Sequence, residues 1–337
     1  MFIVETLRSG GKERRLLHLA NELGKRSYSV TVLVLSREIF YSMDGLHSNV
    51  VLLKNEMESN RIAFLYKHLV TLIESVRVFC WGNYPALLVA PLGLTGLCRI
   101  YNCLITNINP KDALGHKVTF LYSHYIIANS LAGAKAYGVV SNRRLRVIHN
   151  GVYPRRIVGK GSLVAPPYNF VMLASYSEKK AHFELINAVS SFPIELRRMI
   201  RINFYGDGDF GELSAMLKVL GLREFIGLNE KVSDVDAVLS KADYGVLATY
   251  GEGISNFILE AQAHGLPVIA SGFGGVNEVI IEGVNGCLVE TNSAQDWRQG
   301  FSRILSYDYR RLSKNSIKNT KDNFSMDEMI ESYLQIL

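Results

Sequence analysis

Residues 244–270 read YGVLATYGEGISNFILEAQAHGLPVIA. The first six residues are an apolar run that predicts a buried strand, and a turn with two glycines follows it. Ser255 or Asn256 can begin a helix that extends to His264, and a second apolar run at 268–270 predicts another strand. A strand, a turn, a helix and a strand in this order indicate a parallel α/β sheet.

Two glutamates in this stretch have mainly apolar or glycine neighbours. Glu252 falls in the predicted turn and Glu260 in the second turn of the predicted helix, so they do not share one helical face. The first amides of the helix, at residues 254–257, lack intrahelical partners and favour an anion such as phosphate. The pattern predicts an anion site flanked by two carboxylates that accept hydrogen bonds from hydroxyl groups. The alternative is that Glu260 is a paired structural acid.

The same alternation of strands and helices runs through both halves of the chain. Near the N-terminus, an apolar run at 2–5, a helical stretch at 12–25 and an apolar run at 28–35 predict a strand–helix–strand unit. Further strands are predicted at 50–53, 77–80, 103–106, 126–129 and 146–148, and then at 169–174, 201–205, 224–227, 244–248, 268–270 and 286–289. We therefore expect an α/β fold made of two doubly wound, Rossmann-like domains.

Residues 152–168 interrupt this alternation with prolines, glycines and basic residues, a composition typical of a linker. A chain of 337 residues is also long for a single core. The predicted organisation is an N-terminal domain at 1–151, a linker at 152–168, a C-terminal domain at 169–320 and a C-terminal helix at 321–337.

The composition excludes several classes of protein. Hydrophobic residues make up 48% and charged residues 20% of the chain, which is typical of a globular protein and not of a disordered one. Four cysteines without a Cys-x-x-Cys pair argue against a disulfide framework or a zinc site and favour a reducing compartment. The first residues enter an apolar run without a basic region, so no signal peptide is expected.

Residues 78–98 carry no charge and are numerous enough to span a bilayer. Asn83, two prolines and three glycines interrupt them. A buried strand, a loop and a helix are therefore the favoured interpretation, and a membrane span is the alternative.

The net charge is +6, from 37 basic and 31 acidic residues, and basic clusters lie at 143–146, 155–156, 197–201 and 310–311. These clusters are either solvated faces or sites of attraction for anionic lipid headgroups or a phosphate-bearing substrate. No basic run is interleaved with aromatic residues on a recognisable module, so nucleic acid is not expected as a partner.

Three polar motifs have both a structural and a functional interpretation. Gly10 and Gly11 lie between the first strand and the first helix, where they form a plain turn or admit an anion. Residues 206–211, GDGDFG, match a dinucleotide fingerprint, but they follow a later strand and carry two aspartates, so a structural turn is favoured. Asp234 and Asp236 form an Asp-x-Asp pair before a helical stretch, where helix capping is favoured over a metal site.

Beyond Glu260 the sequence continues with Gly-Leu-Pro at 265–267, Gly-Gly-x-x-Glu at 274–278 and Gly-Val-Asn-Gly at 283–286. Together with the Glu-x7-Glu spacing, this ordered set resembles the retaining glycosyltransferase family 4. The resemblance covers most of the C-terminal half, and weaker matches lie at 10–14 and 149–152. It implies a GT-B fold, in which an acceptor-side and a nucleotide-sugar donor domain face each other across a cleft.

By position, the resemblance implies two catalytic residues. Glu252 would bind the donor-sugar hydroxyls, and Lys180 would bind the donor phosphates. Glu260 would bind the ribose. The remaining donor-binding residues would hold the diphosphate through their backbone: Gly253, Ile254, Ser255 and Asn256, with Gly10 and Gly11 approaching it from the N-terminal domain. The base would rest near 227–232. The resemblance implies no metal and no cofactor, since the donor is a nucleotide-diphosphate sugar, expected to be a UDP-sugar.

The chain departs from the family in two places. Ser175-Tyr-Ser177 stands where the family places an arginine, and 105–109, ITNIN, stands where it often offers a histidine. The alternatives are therefore a non-catalytic or partner-dependent subunit, and a nucleotide-sugar epimerase or hydrolase of the same fold. For the latter, His124 and His149 are the available histidines.

The expected function is metal-independent transfer of a hexose to a hydroxyl group, with retention of the anomeric configuration. The expected acceptor is a saccharide or a lipid-linked molecule in cell-surface polysaccharide or glycolipid assembly. The basic clusters predict a cytoplasmic protein in peripheral contact with the inner face of the membrane.

Overall fold

The computed structural model describes residues 1–7, 11–40, 45–56, 60–68, 73, 77–104, 113–154 and 165–337. Contacts divide the chain into two units. Unit 1 consists of Met1–Asn150 and Met329–Leu337, and unit 2 of Gly151–Glu328. Of the linker predicted at 152–168, residues 155–164 lie outside the described residues.

Unit 1 is built on a parallel sheet of seven strands in the order β3-β2-β1-β4-β5-β6-β7. The strands are β1 Phe2–Val4, β2 Val30–Val34, β3 Val50–Lys54, β4 Arg77–Trp81, β5 Arg99–Leu104, β6 Tyr125–Ala128 and β7 Leu145–Val147. The described helices between them are α1 Gly11–Lys25, α2 Arg61–Lys67, α3 Asn83–Leu88, α4 Ala90–Thr95, α5 Ala113–Leu121 and α6 Leu131–Ala136. Helices between successive parallel strands make this unit doubly wound, as the sequence predicts.

Unit 2 has a parallel sheet of six strands in the order β10-β9-β8-β11-β12-β13. The strands are β8 Tyr168–Leu173, β9 Ile200–Gly206, β10 Ile226–Glu230, β11 Tyr244–Leu247, β12 Val268–Ser271 and β13 Gly286–Val289. The helices are α7 His182–Ser190, α8 Ile194–Arg198, α9 Gly211–Val219, α10 Val235–Leu239, α11 Asn256–Ala263, α12 Val276–Val279, α13 Ala294–Ser306 and α14 Tyr309–Asn323. The strands lie close to their predicted positions because apolar runs mark them.

The stretch 244–270 lies at the centre of the unit 2 core. All four residues of β11 and of β12 are buried, which is typical of parallel strands covered on both faces. Six of the eight residues of α11 are also buried, among them Phe257, Ile258 and Leu259. The helix therefore lacks the polar face of a surface helix.

A last helix, α15 Met326–Leu334, ends the chain. In unit 1 the ring of Tyr333 stacks near Trp81 at a centroid distance of 6.3 Å, and the Tyr101 hydroxyl donates to the Ile336 carbonyl at 2.9 Å. Residues 329–337 thus complete the core of the N-terminal unit. The sequence placed a helix at 321–337 without indicating this role.

The uncharged stretch 78–98 forms most of β4, then α3 and α4. The strand agrees with the favoured interpretation, whereas α3 lies where a loop was expected. Among the described residues, no helix is long and apolar enough to cross a membrane. The four cysteines are all buried and unpaired.

Candidate functional site

The order of the strands in unit 2 reverses between β8 and β11. Helices on the two sides of such a switch point lie on opposite faces of the sheet, and the loops that leave the two strands diverge. The crevice at the carboxyl ends of these strands is where open α/β sheets take their ligands. The loop after β8 carries Lys180, and the loop after β11 carries Glu252.

Lys180 and Glu252 are brought into contact at this point, Nζ against Oε1. Their side chains are only 19% and 15% exposed. Burial lowers the pKa of Lys180 to about 8, and the neighbouring charge of Lys179 adds to the decrease. The Glu252 carboxylate acts in the opposite sense, because it favours the charged lysine. The site therefore holds a cation and an anion that neutralise each other.

Backbone hydrogen bonds tie the two loops together around this pair. The Tyr250 amide donates to the Lys179 carbonyl at 3.1 Å, and the Thr249 hydroxyl donates to the same oxygen at 3.3 Å. The Tyr250 hydroxyl also reaches the Glu184 carboxylate. The position of Lys180 is thus fixed by contacts that do not depend on its own charge.

His182 is a supporting residue that the sequence analysis missed. Its ring is buried, and in the Nδ1–H tautomer it donates to the Lys180 carbonyl at 3.0 Å. Burial lowers the pKa of His182 to about 4, so the ring is neutral near pH 7. A histidine two residues after a lysine carries no periodic pattern, and only the tertiary contacts reveal its role.

Glu252 is held by the glycine loop that follows β12. The Gly275 amide donates to the Glu252 carbonyl at 2.8 Å, and residues 252 and 274 form a parallel bridge. A Cβ atom on Gly275 would lie 2.5 Å from the carbonyl carbon and oxygen of Gly253. The Gly-Gly-x-x-Glu motif is therefore needed for the close approach of these two backbones.

The amino end of α11 lies immediately after Gly253 and Ile254. Ser255 occupies the N-cap position, as predicted. Its side chain makes no capping hydrogen bond, so it does not cap the helix. Glu260 lies in the second turn, as predicted, and is half-buried. The carbonyl of Glu260 accepts from the His264 ring at 2.7 Å. The amides of residues 254–257 thus begin an eight-residue helix beside Lys180 and Glu252, at an end that favours an anion.

The other two polar motifs of unit 2 have structural roles. The Asp234 carboxylate caps α10 by accepting from the Ala237 amide at 2.9 Å, which confirms the capping interpretation. In GDGDFG, a Cβ atom on Gly206 would lie 2.0 Å from the Ala174 carbonyl oxygen. The favoured structural turn is confirmed, because this glycine permits the approach of the loop after β8.

Tyr176 occupies the segment where the resemblance places an arginine. Its hydroxyl donates to the Asn229 carbonyl at 2.8 Å and accepts from the Asn229 amide at 3.1 Å. Tyr176 therefore anchors the loop after β8 to the end of β10. On either side of it, the hydroxyls of Ser175 and Ser177 lie 3.3 Å apart and bring no charge.

The N-terminal candidates belong to unit 1. Gly11 is the first residue of α1, whereas Gly10 and residues 105–109 lie outside the described residues. His124 packs edge-on against Tyr125 at a centroid distance of 4.8 Å, and burial lowers its pKa. His124 is otherwise exposed, so this contact lies at the surface of the unit.

Residues 167–307 match a family model described as glycosyl transferases group 1. The match lies within the C-terminal unit of the chain. Among its relatives, an uncharacterised glycosyltransferase of Methanocaldococcus jannaschii is 24% identical over 235 residues, which are 65% of this chain and 59% of that protein. A lipopolysaccharide core biosynthesis glycosyltransferase, LpsE of Rhizobium meliloti, is 26% identical over 205 residues, 58% of each chain. The aligned part of the chain thus spans a little over half the length of these two curated relatives.

Solved structures of glycosyltransferases show the same fold over the whole chain. The Anabaena protein HepE, in complex with UDP and glucose, has a TM-score of 0.84 with 19% identity and covers 99% of this chain and 98% of its own. The lipopolysaccharide outer core galactosyltransferase WaaB has a TM-score of 0.77 with 18% identity and covers 100% and 99%. The fold is therefore GT-B, as the sequence predicts.

Within this fold, the candidate residues separate into two groups. Lys180 and Glu252 are in direct contact, and Gly253 to Asn256 continue from them into the first turn of α11. Gly11 lies in the other unit. In the part of the chain that the structure describes, no group of three or more acidic, histidine or cysteine side chains is placed to hold a metal ion.

Proposed function

We propose that this protein is a glycosyltransferase that moves a sugar from a UDP-sugar donor to a hydroxyl acceptor with retention at the anomeric carbon. The observation that carries the proposal is the contact of Lys180 with Glu252 at the switch point of unit 2. The family model over residues 167–307 supports the reaction class. The complex of HepE with UDP and glucose supports the choice of donor.

The proposed chemistry needs stabilisation of a departing diphosphate. Lys180 and the amides at the start of α11 supply positive charge and oriented dipoles where that charge develops. The bond from the anomeric carbon to the phosphate oxygen breaks, and a bond to the acceptor oxygen forms on the same face. The acceptor proton passes to the leaving phosphate, so the step uses no nucleophile from the protein and no cofactor.

Donor binding would give each of the two charged side chains a new partner. Without donor, Lys180 and Glu252 satisfy each other, which makes two largely buried charges tolerable. With donor, Lys180 binds the diphosphate, and Glu252 accepts hydrogen bonds from the sugar hydroxyls. Glu260, in the second turn of α11, would bind the ribose. The pair thus serves as a preformed site whose mutual contact is released by the ligand.

The test is donor turnover by the full chain with a panel of UDP-hexoses, measured as release of UDP. We expect Glu252→Gln and Lys180→Met each to lower the rate by about 10²- to 10³-fold, the usual cost of removing one preorganised electrostatic group. Matched controls are Glu224→Gln and Lys241→Met, since both residues are exposed in the same unit. NMR of the product determines the anomeric configuration. Unchanged rates in Glu252→Gln and Lys180→Met would refute the site, and an inverted product would refute retention.

The segment 175–177 supports a second candidate, a glycosyltransferase-like subunit that needs a partner for turnover. Neither serine supplies the positive charge that the family places there, and Tyr176 is used for anchoring. Calorimetry of donor binding, together with an assay of sugar transfer, distinguishes the two functions. Donor binding without transfer to any acceptor would favour the partner-dependent subunit, and transfer by the isolated chain would exclude a need for the partner.

We further propose that the acceptor is lipid-linked and that the protein acts at a cytoplasmic membrane face in surface-glycan assembly. In unit 1, the neighbouring α3 and α5 and the segment 90–97 together expose five large apolar side chains: Leu87, Leu94, Leu97, Val118 and Leu121. The Arg144 guanidinium donates to the Leu121 carbonyl at 3.1 Å. Apolar side chains beside basic ones are the combination that binds anionic lipid.

A further inference from the structure

Unit 1 contains a small cavity with several polar groups in its lining, apart from the candidate residues of unit 2. The part of it that a water molecule can enter is about the size of one water molecule. Arg15 of α1 lines it together with Trp81 at the end of β4, Cys103 of β5 and Asn129 just after β6. It therefore lies at the carboxyl ends of parallel strands, the edge at which α/β sheets bind ligands.

Several polar atoms in this cavity have no partner within the described part of the chain. They are Arg15 Nε, Trp81 Nε1 and both side-chain amide atoms of Asn129. The three side chains are between 1% and 7% exposed, so water outside the protein does not satisfy them. Tyr333 and Cys103, which also line the cavity, hydrogen-bond each other and do not compensate these atoms. Buried polar groups in native proteins are almost always satisfied, so these atoms indicate a bound species.

The charge and the donors of the cavity identify the class of that species. None of the described residues that line it is acidic, so the buried guanidinium has no counter-ion there. Burial lowers the pKa of Arg15 to about 9, although the Tyr333 phenol opposes this shift. Three of the four unpartnered atoms are N–H donors, and one is an acceptor. A cation surrounded by donors is complementary to an anion.

We propose that this cavity is an anion site, in which one anionic atom accepts hydrogen bonds from Arg15 Nε, Trp81 Nε1 and Asn129 Nδ2. The space inside is about that of one water molecule, so it admits a single atom and not a whole sugar. That atom is either a free chloride ion or one oxygen of a phosphate group. The site belongs to unit 1 and does not depend on the donor site proposed in unit 2.

Tryptophan fluorescence gives a direct test, because the chain has two tryptophans and Trp81 is the one in the cavity. The Trp297→Phe variant leaves Trp81 as the sole emitter. Sodium chloride and sodium phosphate are each titrated in place of sodium HEPES at constant ionic strength. We expect a saturable change in Trp81 emission and a matching rise in the Tm of the unmodified chain. A response to chloride identifies a free ion, and a response to phosphate alone identifies a phosphate oxygen.

Variants separate a specific site from a general salt effect. Arg15→Met should have a higher Tm than the unmodified chain without added chloride or phosphate, because it removes an uncompensated buried charge, and its anion affinity should fall at least tenfold. Asn129→Asp should also lose the response, since its carboxylate neutralises Arg15 from within. Arg14→Met, the neighbouring position on α1, is the control and should respond like the unmodified chain. No response to either anion, or an equal response in Arg15→Met, would overturn the proposal and leave water as the occupant.

Discussion

At the residue scale, the chemistry of unit 2 depends on a lysine that is largely buried. Lys180 contacts Glu252, its carbonyl is bonded to His182, and the carbonyl of the preceding residue, Lys179, is bonded to the loop after β11. Burial disfavours the ammonium, whereas contact with a carboxylate favours the charged form of a lysine. The protonation of this one side chain should therefore respond to whatever occupies the site.

The first prediction concerns the pH dependence of donor affinity. The pKa of Lys180 is lowered to about 8, so the free protein loses this positive charge as the pH rises through that value. UDP affinity should fall above pH 8, by up to about tenfold per pH unit, because binding then requires uptake of a proton. In the Lys180→Arg variant the side chain stays charged, so the UDP affinity of this variant should stay constant across the same pH range. Calorimetric titrations at about pH 7, 8 and 9 measure this, and a flat profile for the unmodified protein would contradict the assignment.

The second prediction concerns the close approach of Gly275 to Gly253. A methyl group at residue 275 would overlap backbone atoms at 2.5 Å, which a change of rotamer cannot relieve. Gly275→Ala should lower the free energy of unfolding by about 1–3 kcal/mol and weaken UDP binding, because the loop that holds Glu252 must shift. Gly211→Ala is the matched control, since its nearest neighbour is a movable oxygen of Asp209 at 3.2 Å. Equal UDP affinities in the two variants would disprove a role for this approach.

At the scale of the element, two helices of unit 2 begin in different ways. The first turn of α10 is capped by the Asp234 side chain, whereas that of α11 has no side-chain cap from Ser255. The Asp234 carboxylate is thus engaged with the backbone of its own helix. This cap explains why the Asp-x-Asp pair beside α10 has a structural role.

The third prediction follows from the cap on α10. Asp234→Ala should lower the free energy of unfolding by about 1 kcal/mol, the usual cost of losing an N-cap. UDP affinity should be unchanged, with or without added Mn²⁺, because the carboxylate is engaged with the Ala237 amide. Chemical denaturation and calorimetry measure the two effects. A metal-dependent loss of UDP binding in this variant would show that the Asp-x-Asp pair is a metal site after all.

The elements were predictable from the sequence because apolar runs and glycine turns determine them locally. The glycine spacing also located Glu252 in a loop and Glu260 in the second turn of α11. The supporting contacts were not predictable, because they join residues far apart in the chain. The bond from Tyr176 to Asn229 and the approach of Gly275 to Gly253 depend on how separate loops meet. Arg15 is a similar case, since an arginine on an amphipathic helix is expected to be exposed, and only packing shows that it is buried.

At the scale of the whole molecule, the excess of positive charge and the apolar side chains of unit 1 bear on where the protein acts. A net charge of +6 gives a weak, salt-sensitive attraction to anionic surfaces. Exposed apolar side chains add a contribution that salt does not screen. Binding to a lipid surface through both contributions should therefore persist in part at high salt, whereas simple electrostatic adsorption should not.

The fourth prediction is that unit 1 carries the membrane contact. Leu94 and Leu121 are 75% and 73% exposed, so changing both to glutamate should not disturb the core. Leu94→Glu with Leu121→Glu should reduce sedimentation with anionic phospholipid vesicles at least tenfold, through lost insertion and added repulsion. Val219→Glu is the control, because Val219 is 84% exposed on α9 of unit 2. The unmodified protein should bind anionic vesicles more weakly at high salt and neutral vesicles hardly at all. An equal loss in the double variant and in Val219→Glu would show that charge alone governs binding and that the apolar side chains of unit 1 make no specific contact.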